Sequence, residues 1–174
     1  MQPLCTASCL FVLTVKDNLM FIGMLHLHSV LRWIVLIVAL WAIIKMASGM
    51  SGKKPFTKSD KRPALFFQIT MDLQMLIGLY LYFFGEWGMK SISRSGFAEV
   101  MKSSIPRFFA LEHFVGMLLA VILVHIGYGA TKKATSDKKK FTTAFWCFLV
   151  ALIVIFAFIP WPFRELGRGW MPST

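Results

Sequence analysis

Apolar residues in this chain neither alternate nor keep to one stripe. They fill four blocks, 26–46, 64–84, 108–130 and 141–159, separated by polar segments rich in lysine and arginine. Each block has about the 20 residues that a helix needs to cross a hydrocarbon core of about 30 Å. A helix of a soluble bundle would keep a polar face, whereas these are apolar nearly all round, which predicts lipid-spanning helices. Between the first two blocks, Gly49, Gly52, Pro55 and Pro63 predict the end of one helix and the start of the next. Short connections predict antiparallel neighbours. The expected fold class is therefore all-α, an integral membrane four-helix up-down bundle. Residues 20–174 would form this single transmembrane domain. Residues 1–19 stand before it as an N-terminal extension of uncertain status. Its apolar run "CLFVLTV", 9–15, is too short to span and has no basic segment before it, a weak secretory signal, and Met20 offers a second start.

Two connecting segments carry patterns of their own. In "GFAEVMKSSIP", 96–106, Phe97, Val100 and Met101 recur at helical spacing, which predicts a short helix lying on the membrane, with an irregular loop as the alternative. In "IPWPFRELGRGW", 159–170, Trp161, Trp170 and two arginines suit a headgroup anchor. The same segment could instead cap the outer end of the bundle.

Composition agrees with the blocks: 57% of the 174 residues are hydrophobic and 16% charged, against roughly 45–50% and about 25% in soluble proteins. A net charge of +11 could point to nucleic acid. The basic residues instead gather in two short loops, with Lys45, Lys53, Lys54, Lys58, Lys61 and Arg62 in one and Lys132, Lys133, Lys138, Lys139 and Lys140 in the other. The positive-inside rule accounts for that placement and predicts these loops in the cytoplasm, with both termini and the middle loop outside. The expected partner is the lipid bilayer, with no nucleic acid, and the expected location is a bacterial inner membrane, crossed several times. Cys5, Cys9 and Cys147 make no metal-ligand array.

Polar groups inside a bilayer are costly and default to functional hypotheses. The stretch "LHLHSVLRW" puts two histidines and an arginine at the mouth of the first block. His28 lies 17 residues before Lys45 and His113 lies 19 before Lys132, which at about 1.5 Å per residue gives heights of about 25 and about 28 Å. These two helices are diagonal neighbours in an up-down bundle. Histidines at one level on a diagonal can clamp a flat macrocycle, and histidine is a standard axial haem ligand. Gly116, three residues after His113, would leave room for a ring edge. Arg32 or Arg107 could meet a propionate through its forked donors, and Glu112 could pair with Arg32 if no cofactor is bound.

The other polar groups invite simpler readings. His26 suits the interface. His125, 7 residues from Lys132, has no histidine at its level and reads as a packing or hydrogen-bonding residue. Asp72, near mid-membrane with Gln68 one turn away, would bond across to a neighbouring helix, or else relay protons to a quinone. Gln74, Gly78 and Tyr82, at four-residue spacing, form a polar seam best read as helix packing. A transition metal held by His26, His28 and His113 is disfavoured, because side chains two apart on a helix diverge.

The segments "LHLHSVLRWIVL", "QMLIGLYLYF", "RFFALEHFVGMLLAVIL" and "IPWPFR" resemble a family of small four-helix inner-membrane proteins from Bacteroidetes, often labelled cytochrome b. The resemblance covers about four fifths of the chain, is most specific in "LHSVLRW" and the later "EH", and implies His28 and His113 as haem ligands. The expected function is a b-type cytochrome that passes electrons between a quinol and a partner protein. The alternative is a cofactor-free accessory or assembly subunit. No catalytic carboxylate pair, nucleophile constellation or phosphate loop is present.

Overall fold

The computed structural model describes residues 4–164, Leu166 and Gly169, with side chains from Asn18 onward. Its elements are α1 (Leu4–Ala47), α2 (Lys58–Phe84), α3 (Met89–Ser95), α4 (Phe97–Lys102), α5 (Ser104–Arg107), a π-helical turn (Phe108–Glu112), α6 (His113–Lys133), α7 (Asp137–Phe158) and a 3-10 turn (Pro162–Arg164). No strand occurs among the described residues. Four helical stretches, Asn18–Ala47, Lys58–Ser95, Ser104–Lys133 and Asp137–Phe158, are long and apolar enough to cross a membrane. Trp170 and Arg168 of the C-terminal segment, and the side chains of Cys5 and Cys9, lie outside the described residues.

The first helix differs most from expectation. It runs unbroken from Leu4 through the predicted start near residue 26, because residues 4–25 contain no proline and a single glycine, Gly23. Its 44 residues span about 66 Å, roughly twice a hydrocarbon core.

The second helix also starts early, at Lys58, so that Pro63 sits inside it. The sequence "TKSD" explains the start. The Asp60 carboxylate accepts the Thr57 backbone N–H at 3.1 Å and the Thr57 hydroxyl at 2.6 Å, which ties the helix entry as a capping box does. Asp60 is only 1% exposed, with Lys54 Nζ at 2.5 Å and Lys45 Nζ at 4.0 Å. Asp60→Ala removes that tie, yet Lys54 is 37% exposed and can turn to water. The expected loss is therefore that of a helix cap, roughly 1–2 kcal/mol. A lowered thermal unfolding midpoint in detergent checks this, and an unchanged midpoint would refute it.

The spanning helices form a ring in chain order: α1 packs on α2, α2 on α6, α6 on α7, and α7 back on α1. The first and third spans are thus diagonal. Lipid tails compete for apolar contacts as well as a leucine does, so close packing has to hold the ring, and small residues permit it. Along α6 the buried positions are Gly116, Ala120, Val124, Gly127 and Thr131. They lie on the helix that packs most extensively on α7, whose own buried positions include Phe148, Ala151 and Ile155. A Cβ on Gly127 would come within 2.5 Å of the Phe148 ring, so this large side chain is seated where α6 has none.

The middle connection is a run of three short helices broken at Gly96 and Ser103, so 97–102 and 104–107 are helical in place of the irregular-loop alternative for 96–106. Gly96 separates α3 from α4 at φ +79°, a conformation that glycine adopts without steric cost. Val100 is buried while Phe97 is exposed, so the segment folds one apolar side chain under itself.

Candidate functional site

An apolar cleft opens at the end of the bundle opposite the basic loops and runs inward between α1, α2 and α6. Its cavity volume is about 170 Å³, and it is open on one side. Small-molecule sites are mostly apolar hollows with a few convergent polar groups. Here Met71, Met75, Phe114, Met117 and Val121 supply apolar wall, and His28, Ser29, Arg32, Gln74, Tyr82 and His113 supply the polar atoms.

His28 on α1 and His113 at the start of α6 meet across the diagonal. Their ring centres are 6.3 Å apart with the planes inclined at 70°. Each ring is fixed by a different device. The imidazole Nδ1 of His113 lies 2.6 Å from the Phe158 carbonyl, and since a carbonyl only accepts, the ring proton belongs on Nδ1 and Nε2 keeps its lone pair. That carbonyl is among the last four of α7, which a helix leaves without partners. The remaining three are also taken: Ile155 by the backbone N–H of Ile159, Phe156 by Trp161 Nε1 at 2.9 Å, and Ala157 by Arg164 at 2.5 Å. The residues 159–164 thus cap α7. Trp161 is 9% exposed and packs edge-on to Trp33, so its role is the cap and the headgroup-anchor reading is corrected for this residue.

His28 is held from α2. Gln74 donates to the His28 backbone carbonyl at 3.0 Å. A Cβ on Gly78 would stand 3.3 Å from His28 Cε1, so the glycine gives the ring its space. The Tyr82 hydroxyl donates to the Ala110 carbonyl at 3.3 Å, and its ring stacks on Phe114. The four-residue seam read from sequence as packing therefore builds one wall of the cleft. Replacing Gln74 with leucine leaves the His28 carbonyl without this donor at a cost of about 1 kcal/mol, which a shift in thermal midpoint would register.

A π-helical turn stands immediately before His113, and single π turns recur at functional sites. The turn brings Arg107 and Glu112 together, Nε to Oε1 at 2.7 Å, and Arg107 also donates to the Met101 carbonyl at 3.3 Å.

Four placements correct the sequence reading or complete it. Arg107 is engaged by Glu112 and is not among the residues lining the cleft, so Glu112 pairs with Arg107 and not with Arg32. Arg32 lines the cleft, with its guanidinium over the Trp33 ring at 5.5 Å. Gly116 does not face the cleft. A Cβ there would meet the Phe158 ring at 2.4 Å, so its missing side chain accommodates α7. Asp72 does reach across to a neighbouring helix, its carboxylate lying 3.4 Å from His125 Nε2 on α6.

Two buried polar atoms of the cleft, His28 Nδ1 and Gln74 Oε1, have no hydrogen-bond partner among the described residues. Native structures pair such atoms with protein, water or ligand. No cluster of three or more His, Cys, Asp or Glu occurs among the described residues. Comparison of the chain with protein families, curated proteins and solved structures finds no match.

Proposed function

We propose that this chain is a membrane b-type cytochrome that holds one haem between His28 and His113 and carries electrons. The observation that carries the reading is the convergence of the two rings inside an apolar cleft. The ring centres stand 6.3 Å apart with the planes inclined at 70°, so both imidazoles reach the same part of the cleft, and they would be the residues to hold the iron. Ligating histidines characteristically donate the other ring N–H to a carbonyl or carboxylate, which fixes tautomer and orientation. His113 has that arrangement with Phe158. Arg32 lines the same cleft, and its forked donors suit a carboxylate such as a propionate.

When bound, haem would supply one-electron cycling of iron, with His28 and His113 as the residues that would hold it. The protein's own residues orient the imidazoles through Phe158, Gln74 and Gly78 and keep the cleft apolar through Met75, Met117 and Phe114. On this reading the donor is a quinol of the bilayer or a redox protein. The membrane is a bacterial inner membrane, the cleft opens to its outer side, and both termini lie outside. The resemblance to the cytochrome b–labelled family points the same way.

A cofactor-free accessory subunit is the second reading, favoured by the edge-to-face contact that the two rings already make. The unpartnered His28 Nδ1 counts against it. A reduced-minus-oxidised absorption spectrum of protein purified from haem-supplied cells separates the two. A low-spin b-type signal is expected, and its absence from well-folded protein would overturn the proposal.

A further inference from the structure

The pair formed by Asp72 of α2 and His125 of α6 does not belong to the bundle interior. Its side chains are 40% and 44% exposed. Exposed Ile69, Leu73, Ile122 and Ile126 surround them along the same two helices. Counted at about 1.5 Å per residue from Arg62 and from Lys132, the pair stands about 10–15 Å into the hydrocarbon. A bond that served packing alone would be turned inward, because polar groups facing lipid are costly. Only molecules dissolved in the lipid phase can reach this one.

The proton count is specific. His125 Nδ1 lies 2.9 Å from the Val121 carbonyl, which places a proton on Nδ1. Nε2 then faces the Asp72 carboxylate at 3.4 Å. Two lone-pair atoms facing each other in a medium of low dielectric are costly, and one further proton shared by the pair would relieve that cost. The pair can give that proton to an acceptor or, with the proton on the acid, accept from a donor. Gln68, one turn from Asp72, adds a buried amide oxygen without a partner among the described residues.

We propose that Asp72 and His125 form a binding site for the headgroup of a lipid-phase quinone. A quinone carbonyl accepts a hydrogen bond and a hydroquinone hydroxyl donates one. A pair with one movable proton answers both forms. The site also adjoins the histidine cleft, since Met71, the neighbour of Asp72, and Val121, whose carbonyl holds His125, both line it. The choice of a redox-active headgroup rests on the electron-carrier reading, while the site itself is independent of what His28 and His113 hold.

The test uses the full chain in detergent and a naphthoquinone with a decyl tail, titrated calorimetrically. Saturable one-to-one binding is expected, weakened at least tenfold by Asp72→Asn and by His125→Phe. Ile126→Trp, which leaves the pair intact and adds bulk at an exposed position next to His125, should weaken binding equally, and decanoic acid should not compete. His28→Ala should bind the quinone normally. Quinone binding by a protein without a haem signal would sustain this site while removing the electron carrier. Binding that persists in all three variants, no saturable binding by the native chain, or equal competition by decanoic acid would overturn the proposal. So would a dimer that Asp72→Asn dissociates.

Discussion

His113→Ala is expected to fold, keep its helical content and show no low-spin haem signal, because on the proposed reading it loses one of the two nitrogens that would hold the iron. The substitution also removes the hydrogen bond to Phe158, a net loss of about 0.5–1.5 kcal/mol. That is too little to unfold the bundle by itself. Circular dichroism and elution volume in detergent verify folding, and the difference spectrum reads the iron. His28→Ala gives the same spectral loss while leaving the Phe158 bond in place, which separates ligation from packing. Added imidazole should restore part of the signal in either variant, since the space of the missing ring is vacant. The native protein loaded with haem should also unfold at a higher temperature than either variant, because binding to the folded state alone stabilises it by mass action. Spectra unchanged by both substitutions would exclude His28 and His113 as ligands.

The second large effect is at the seam between α6 and α7. Gly116→Leu places carbon where the Phe158 ring now lies, its Cβ alone within 2.4 Å of the ring. Overpacking costs typically 1–3 kcal/mol, and the upper end is expected because the clash reaches the ring carbon attached to the Phe158 Cβ. Helix propensity returns up to about 1 kcal/mol when glycine is replaced, which does not offset it. Moving Phe158 also moves the carbonyl that orients His113. The variant should therefore lose stability and haem affinity together, read as a lower unfolding midpoint and a lower haem-to-protein ratio. Gly129→Leu, on the same helix with open space at its Cβ, serves as the control and should change neither. A haem ratio unchanged at Gly116 would break the proposed link between the seam and His113.

Most of the architecture was legible because the bilayer imposes length and apolarity. The blocks at 64–84 and 108–130 lie inside α2 and the π turn with α6, respectively. Counting residues back from Lys45 and Lys132 put His28 and His113 at one height without any knowledge of contacts. Rotation about each axis was not legible. Arg107 and Glu112 are five apart, about 140° from each other on an α-helix, so their pairing depends on a π turn that no periodicity announces. Gly116 was read by its spacing to His113, yet helix position alone does not say which neighbour a glycine faces. Some signals are local and legible from the residues themselves: "TKSD" carries the Thr57 to Asp60 helix entry, and "IPWPFR" carries the donors that close α7, where Trp161 suits an anchor and a cap alike. Asp72 found a partner across the helices, but the outward aspect of that pair is a property of the ring order, which connects α2 to α6 through no short loop.

The five-residue π turn has a consequence for chain length. It holds one residue more than an α-turn would need, and each residue advances a helix by about 100°. Deleting one of residues 108–112 would leave the apolar run long enough to span and would let the turn close as regular α-helix, so insertion and bundling would survive. The azimuth of everything after it would stay close to its present value, because the residues left are what an α-turn needs for nearly the same sweep. The extra residue thus works as slack: the third span can change its length by one residue there while His113 keeps its aim at His28.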